Sequence, residues 1–214
     1  MRAFKFRSAE NLHLLLDILI HNRLYCAPVN ALNDIREGDV RVGNDDGRFK
    51  EVDAFGREVE KELQALRVCS LSRTVENHLL WAHYAGGYTG LAVEIEIPDE
   101  DISPVEYSDD FIFLSEFQGK GTPESCARAV LLKKYPDWQY ENELRIISKE
   151  PFYSLHTPVR RIVLGSRVPM ALTASMHVLC SHYGVELERI IIADWGIYTF
   201  GVQEVPLMKR RTNA

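Results

Sequence analysis

A chain of 214 residues is long enough to bury a substantial hydrophobic core, as one large domain or as a domain with an appended subdomain. Its formal net charge of -6 does not indicate a nucleic-acid-binding surface, and no apolar run is long enough to span a bilayer. The N-terminus lacks the apolar core of a signal peptide, and the four cysteines are scattered without a Cys-x-x-Cys pair. We therefore expect a cytoplasmic protein whose cysteines are small buried thiols.

The first half of the chain alternates short strands with helices. Residues 3–7 alternate in polarity and predict a strand, Ser8 suits a helix N-cap, and leucines at helical spacing follow it. Further along, the pattern predicts a strand over 24–27, a flexible polar loop over 30–50, a helix over 51–66, a strand over 67–72, a helix over 79–84 and a strand over 89–97.

The second half continues in the same way and sets the fold class. The predicted elements are a short strand over 105–107, an acidic and aromatic loop over 108–122, a helix over 123–134, a strand through Glu141-Asn142-Glu143, a strand over 159–165, a helix over 169–183, and strands over 188–193 and 197–207. Because helices and strands interleave and several strands join through short turns, we predict an α+β fold with a mixed, largely antiparallel sheet flanked by helices. No composition shift marks a boundary, so residues 1–214 are predicted to form a single domain.

The segment from Trp138 to Ile147 carries the most informative polar pattern. Alternation along a strand places Glu141, Glu143 and Arg145 on one face. Two neighbouring carboxylates are costly there unless they are solvated, paired with cations or used in chemistry. Two interpretations of this segment remain open: an exposed edge strand with a Glu–Arg pair, and a strand that carries catalytic residues.

Histidine and glycine spacings do not predict a cofactor site of a familiar type. His78 and His83, like His177 and His182, are five residues apart, whereas helical zinc ligands are commonly four apart. The Gly86-Gly87 pair precedes a strand and lacks the lysine and serine of a phosphate loop. No metal site is therefore predicted.

Three polar strand signals follow one another along the chain. These are Lys5 and Arg7 at the end of the first strand, Ser70 and Ser72 in Cys-Ser-Leu-Ser, and then Glu141 and Glu143. The order of arginine, serine strand and Glu-x-Glu strand resembles the motif set of the toxin-like mono-ADP-ribosyltransferases. The resemblance implies an ADP-ribosyltransferase-like fold in which the arginine shapes the NAD site, the serines support it and the second glutamate is catalytic.

Most of the chain also resembles a widespread bacterial domain family of unknown function. The matching signatures are a Leu-Tyr strand followed by Asn-Asp, the Trp-Ala-His-Tyr helix before a glycine, and Lys-x-x-x-Trp-x-Tyr-Glu-x-Glu-x-Arg over 134–145. One departure is plain: the family usually continues Phe-Asn-Asp-Pro-Phe-Glu, where this chain has Leu-Asn-Asp-Ile-Arg-Glu over 32–37. The match supports a fold more than an activity.

The transferase resemblance gives each candidate residue a chemical role. Cleavage between nicotinamide and ribose passes through an oxocarbenium-like state, which a carboxylate such as Glu143 stabilises. Glu141 would orient or activate the acceptor nucleophile, and Arg7 or Lys5 would hold a phosphate of NAD. The serines would hydrogen-bond the ribose or Glu143. The aromatic residue that stacks on nicotinamide would be Tyr84 or Tyr25.

Three functional hypotheses follow from these patterns. The first is an NAD-using ADP-ribosyltransferase, or an NAD glycohydrolase, that acts on an unknown acceptor (protein, nucleic acid or small molecule) as a toxin or phage-defence effector. The second is a catalytically silent interaction or regulatory domain. The third is a metal-dependent nucleotide or nucleic-acid hydrolase, in which Asp34, Glu37 and Glu143 would share a divalent ion. Residues 165–214 carry no assigned role, and no oligomeric state is predicted.

Overall fold

The computed structural model describes residues 1–34, 49–110, 112, 114–117 and 119–202. Its strands are β1 Arg2–Arg7, β2 Arg23–Tyr25, β3 Ala27–Pro28, β4 Arg67–Ser72, β5 Leu91–Glu96, β6 Ser103–Pro104, β7 Glu106–Tyr107, β8 Lys133–Lys134, β9 Glu143–Ser148, β10 Phe152–Ser154, β11 Arg161–Leu164, β12 Glu186–Ala193 and β13 Gly196–Gly201. Its α-helices are α1 Leu12–His21, α2 Phe49–Ala65, α3 His78–Tyr84, α4 Leu114–Phe117, α5 Pro123–Val130 and α6 Met170–Tyr183. Short 3-10 helices cover Ala9–Asn11, Val29–Ala31, Asp99–Asp101 and Pro136–Glu141.

The chain divides into two compact units. The first contains Met1, Arg23–Arg73 and Ile97–Leu155, and the second contains Arg2–Asn22, Thr74–Glu96 and His156–Ala214. Each unit combines helices with strands that pair mostly antiparallel, which confirms the predicted α+β class and the mixed, largely antiparallel sheet. Within the described ranges, no helix is both long and apolar enough to cross a membrane.

In the first unit, the antiparallel strands β4 and β9 form the centre of the sheet. Their register places Ser72 opposite Glu143 and Ser70 opposite Arg145. The short strand β6 pairs with the other side of β9, and β3 pairs with β4. Helices α2 and α5 pack together over a buried cluster of apolar residues that includes Val59, Leu66 and Val130. This packing covers one face of the β4–β9 pair.

Helix α5 is held at its start by a reciprocal cap. The Thr122 hydroxyl accepts the Ser125 N–H, and the Ser125 hydroxyl accepts the Thr122 N–H, so two N–H groups at the helix start are satisfied. Pro123 occupies the first turn, where its missing N–H costs nothing. These features fix where α5 begins and therefore where the chain after Val130 returns to the sheet.

The second unit contains a mixed sheet in the order β13-β12-β11-β5-β1. Strands β11 and β12 are parallel and are joined by α6, whereas the other neighbours are antiparallel. Its core is built around Trp81, whose indole N–H donates to the Val75 carbonyl at 2.7 Å and whose ring meets the Phe6 ring edge-on at 5.2 Å. Such pairing satisfies the polar atom of a fully buried aromatic residue.

Several predicted boundaries are corrected by the structure. The helix predicted over 123–134 ends at Val130, and Lys134 lies in β8, where pairing with β7 takes the place of helical hydrogen bonds. The acidic and aromatic loop predicted over 108–122 contains the short helix α4. The polar loop predicted over 30–50 overlaps a 3-10 helix and the start of α2 at its two ends, and its residues 35–48 lie outside the described residues. All four cysteines are buried and none of them forms a disulfide, as expected.

Candidate functional site

The Glu-x-Glu segment differs from the uniform strand that alternation predicts. A 3-10 helix runs over Pro136–Glu141, Asn142 adopts a left-handed conformation with φ 45°, and β9 begins only at Glu143. Asparagine tolerates this conformation better than most residues, which allows the sharp change of direction. Glu143 and Arg145 therefore share one face of β9, whereas Glu141 approaches them from the preceding turn.

Lys134 connects the two glutamates. Its ammonium group donates to Glu141 Oε2 at 2.6 Å and to Glu143 Oε2 at 3.1 Å. The same ammonium lies 4.7 Å from the ring centroid of Trp138, within the range of a cation–π contact. Lys134 reaches this position because β8 pairs in parallel with β7, which sets Lys134 beside Tyr107.

Arg145 binds Glu143 through two parallel hydrogen bonds. Its Nε donates to Glu143 Oε1 at 2.8 Å and its Nη2 donates to Oε2 at 3.0 Å, while Nη1 donates to the Leu131 carbonyl at 2.7 Å. This bidentate geometry is the strongest form of an arginine–carboxylate pair. We call the set Lys134, Glu141, Glu143 and Arg145 the ionic cluster.

The ionic cluster is buried. Glu143 is 4% exposed and Arg145 is 1% exposed. The exposed edge strand considered from the sequence is therefore wrong in its exposure, although the Glu–Arg pair that it contained is present. Two carboxylates and two cations balance in formal charge, and this balance is what makes their removal from water tolerable.

Neighbouring polar groups orient both glutamates. The Ser72 hydroxyl donates to the Glu141 main-chain carbonyl at 2.7 Å, and the Ser70 side chain hydrogen-bonds the Glu143 carboxylate. The Glu143 N–H donates to the Tyr107 hydroxyl oxygen at 2.7 Å. The structure thus brings both predicted serines to the predicted glutamates.

The surroundings of Glu143 determine its ionisation. Burial by itself raises the pKa of this carboxyl, but the charge and hydrogen bonds of Arg145, the charge of Lys134 and the Ser70 hydrogen bond lower it to about 2. Glu143 is therefore a carboxylate at neutral pH. Burial also raises the pKa of Tyr107, against the opposing effect of the Glu143 N–H, so its hydroxyl stays protonated.

A cavity of about 370 Å³ lies beside the ionic cluster and has Arg145 in its wall. Its volume falls within the range of roughly 300–1,000 Å³ that is usual for small-molecule sites. The other lining residues are Glu100, Asp101, Ser103, Arg128, Leu132, Ile146, Ile147, Ser148 and Tyr153. The Tyr153 hydroxyl donates to Asp101 Oδ2 at 2.5 Å. The cavity is thus lined by carboxylates and hydroxyls as well as by arginine.

The other predicted NAD-binding residues lie elsewhere in the chain. Lys5 and Arg7 are half-buried on β1 of the second unit, where they pair with Val93 and Leu91 of β5. Tyr84, also in the second unit, is partly buried and packs against the apolar core around Trp81.

Tyr25 belongs to the first unit. Its ring meets the Phe152 ring at 5.8 Å, and the Arg23 guanidinium lies 3.9 Å from the centroid of the same Phe152 ring. Tyr84 and Tyr25 thus both contact apolar or aromatic neighbours, and their assignment to nicotinamide stacking stays a prediction.

The metal-dependent hypothesis concerned Asp34, Glu37 and Glu143. Asp34 is buried and Glu143 belongs to the ionic cluster, whereas Glu37 lies outside the described residues. Among the residues that the structure does describe, no group of three or more His, Cys, Asp or Glu side chains is placed to hold a metal ion.

Lys134 is the member of the ionic cluster that sequence reasoning missed as a site residue. Helical periodicity had placed it at the end of a helix, where a lysine is ordinarily a solvated C-terminal residue. The usable signal was its position at the start of the Lys-x-x-x-Trp-x-Tyr-Glu-x-Glu-x-Arg pattern, whose other charged residues are Glu141, Glu143 and Arg145.

Comparisons of this chain with known protein families, with curated proteins and with solved structures find no match.

Proposed function

We propose that this chain is an ADP-ribosyltransferase-like enzyme that uses NAD as the donor of ADP-ribose. The observation that carries the proposal is the pairing of the serine strand with the glutamate strand. Ser72 lies opposite Glu143, Ser70 lies opposite Arg145, and the Ser70 side chain hydrogen-bonds an ionised Glu143. This is the arrangement that the order of serine and Glu-x-Glu motifs implies for a site of this class.

The chemistry assigned to Glu143 is electrostatic. The bond between nicotinamide nitrogen and ribose C1′ breaks, nicotinamide leaves with the bonding electron pair, and positive charge develops on the ribose. A carboxylate with a pKa of about 2 carries a full negative charge at neutral pH. This negative charge stabilises the positive charge that develops on the ribose. Glu141 would receive the proton of the acceptor as the acceptor's oxygen or nitrogen bonds to C1′.

Access to Glu143 requires a change in the ionic cluster. The carboxylate is buried and both of its oxygens accept from Arg145, with Lys134 as a third donor. The cavity that shares Arg145 provides space next to the cluster for part of a ligand. In this proposal, substrate enters beside Arg145, and the described arrangement is a closed resting state.

The deciding experiment is NAD consumption by the wild-type protein and by Glu143→Gln. We expect nicotinamide release by the wild type, with a broad set of proteins, nucleic acids and small molecules offered as acceptors, and at least a hundredfold loss in Glu143→Gln. Glu116→Gln is the matched control, because Glu116 is an exposed acid of α4 in the same unit. Equal release by wild type and Glu143→Gln would refute the assignment of Glu143.

A second candidate function is a catalytically silent interaction or regulatory domain. The observation that favours it is the burial of the ionic cluster, in which each glutamate has a cation within 3.1 Å. In that case the cluster only joins β9 to β8 and to the end of α5. Absence of nicotinamide release from both proteins in every acceptor mixture, with normal folding of both, would favour this function over the enzyme.

A further inference from the structure

The last two strands form an exposed hairpin with three apolar residues and one arginine on its outer face. Strands β12 and β13 are joined by a tight turn at Asp194 and Trp195, and Ile191 lies opposite Tyr198. Because opposite residues in an antiparallel pair share a face, Ile191, Tyr198 and Phe200 lie on one side, and Ile190 faces the core on the other. Arg189 lies opposite Phe200 on the outer face, and its guanidinium donates to the Thr173 hydroxyl. Trp195 is 90% exposed, Tyr198 is 51% exposed and Phe200 is 42% exposed.

In the part of the chain that the structure describes, the outer edge of β13 has no strand beside it. Within the described residues, β13 pairs only with β12, and its sequence Gly-Ile-Tyr-Thr-Phe-Gly contains no charged residue and no proline. Natural edge strands usually carry lysine, proline or a bulge that prevents pairing with another chain. An uncharged edge of six residues beside exposed aromatic side chains is therefore suited to accept a further strand.

The hydrogen-bonding pattern shows which main-chain groups point outward. The Val202 N–H donates to the Leu187 carbonyl at 3.0 Å, so Val202 and Leu187 form a hydrogen-bonded pair. Alternation along the strand then directs the N–H and C=O groups of Ile197, Thr199 and Gly201 away from β12. These three residues are the pairing groups of the edge.

The exposed aromatic area beside this edge sets an upper limit on how strongly two copies can associate. With roughly 150–250 Å² for each aromatic side chain, the exposed parts of Trp195, Tyr198 and Phe200 amount to about 400 Å². Ile191 lies on β12, one strand behind the edge, so pairing at β13 would bury at most about 800 Å² on two copies together, the size of a weak and transient interface. We propose that the chain forms a homodimer by antiparallel pairing of β13 with β13 of a second copy.

One register fits both the outward groups and the aromatic residues. With Thr199 on the two-fold axis, Ile197 pairs with Gly201 of the other copy, and all three outward residues form hydrogen-bonded pairs. Tyr198 then lies opposite Phe200 of the other copy on the same face, which gives two aromatic cross-strand contacts. Trp195, at the turn, lies next to the end of the other copy's strand.

The test uses a pair of opposite charges on the two-fold axis. Thr199→Lys and Thr199→Glu each place like charges directly opposite one another, which destabilises strand pairing. In sedimentation at concentrations from low micromolar to several hundred micromolar, the wild type should have the mass of a dimer at the upper end. Each variant alone should stay monomeric, with at least a tenfold weaker association, and an equimolar mixture of the two should recover the dimer.

A control and a second readout keep the outcome decisive. Ser175→Lys adds the same charge at an exposed position of α6 and should leave the dimer intact. Hydrogen exchange should show concentration-dependent protection of the amides of Ile197, Thr199 and Gly201. A monomeric wild type at every concentration would overturn the proposal. So would failure of the mixed variants to associate while both remain folded, or binding of the hairpin to neutral phosphatidylcholine vesicles in place of a second copy.

Discussion

Replacement of Lys134 by methionine should destabilise the protein far more than a surface lysine change does. Methionine retains much of the apolar length of the side chain but removes the ammonium that contacts Glu141 and Glu143 at 2.6 and 3.1 Å. Removal of one partner from a buried ion pair costs about 3–5 kcal/mol, because the remaining charge stays buried. Glu143 keeps its two hydrogen bonds from Arg145, so the loss falls mainly on Glu141, and we expect about 3 kcal/mol.

The measurement is the free energy of unfolding in urea, followed by circular dichroism, together with the melting temperature. For a protein of this size, 3 kcal/mol corresponds to a decrease of roughly 6–12 °C. Lys133→Met is the matched control, since Lys133 is the neighbouring residue of β8 and lies at 4.0 Å from Glu106, with 28% of its side chain exposed. A partly exposed ion pair of this kind contributes at most about 1 kcal/mol.

A double variant tests the electrostatic reasoning directly. Lys134→Met combined with Glu141→Gln removes the ammonium and the carboxylate together. We expect the double variant to be more stable than Lys134→Met alone, because the destabilisation arises from a buried carboxylate that has lost its lysine and not from lost volume. Equal losses in Lys133→Met and Lys134→Met, or a double variant as unstable as the sum of its single changes, would refute this account.

Three further predictions concern other parts of the molecule. The pKa of Glu143 is about 2 in the folded protein, against an ordinary value of 4.5, so the stability that ionised Glu143 contributes is present above pH 4.5 and is lost as the pH falls toward 2. In urea unfolding between these pH values, the free energy of unfolding should therefore fall less steeply for Glu143→Gln than for the wild type. Gly90→Ala should destabilise by more than about 2 kcal/mol in thermal unfolding, because a Cβ at Gly90 would lie 2.1 Å from the Arg7 carbonyl, whereas Gly201→Ala meets nothing within 4 Å and should be nearly neutral. All four thiols are buried, so the native protein at pH 8 should react with a thiol reagent only as fast as it opens, and a rapid reaction of any thiol would contradict their burial.

Alternation along the sequence predicted which face of β9 carries Glu143 and Arg145, because side-chain direction in a strand follows from local geometry alone. It did not predict that this face is buried. Burial depends on which residues pack over the strand, here Lys134 of β8 and the end of α5. These residues belong to other elements, so the alternation within β9 carries no information about them. Because alternation does not report burial, the sequence was equally compatible with an exposed edge strand.

Local exceptions to regular geometry account for the remaining errors around the site. A strand through Glu141 was predicted because period-two alternation continues across Asn142, yet Asn142 adopts a left-handed conformation that ends the preceding 3-10 helix. Similarly, the pattern of α5 allowed it to continue to Lys134, but the helix ends at Val130 and Lys134 pairs with β7 as part of β8. In both places a departure from the predicted periodicity decides where a charged side chain lies.

The geometry of the ionic cluster indicates which cation yields if a substrate reaches Glu143. Arg145 donates two hydrogen bonds to the Glu143 carboxylate and a third to the Leu131 carbonyl, so its displacement would leave buried acceptors on two elements unsatisfied. Lys134 contacts Glu143 at 3.1 Å, which is longer than its 2.6 Å contact with Glu141. It can therefore release Glu143 while it keeps Glu141. Under the proposed function, Arg145 fixes the carboxylate and Lys134 exchanges with the developing positive charge of the ribose, so that the loss of Lys134 should weaken folding more than it weakens the chemistry.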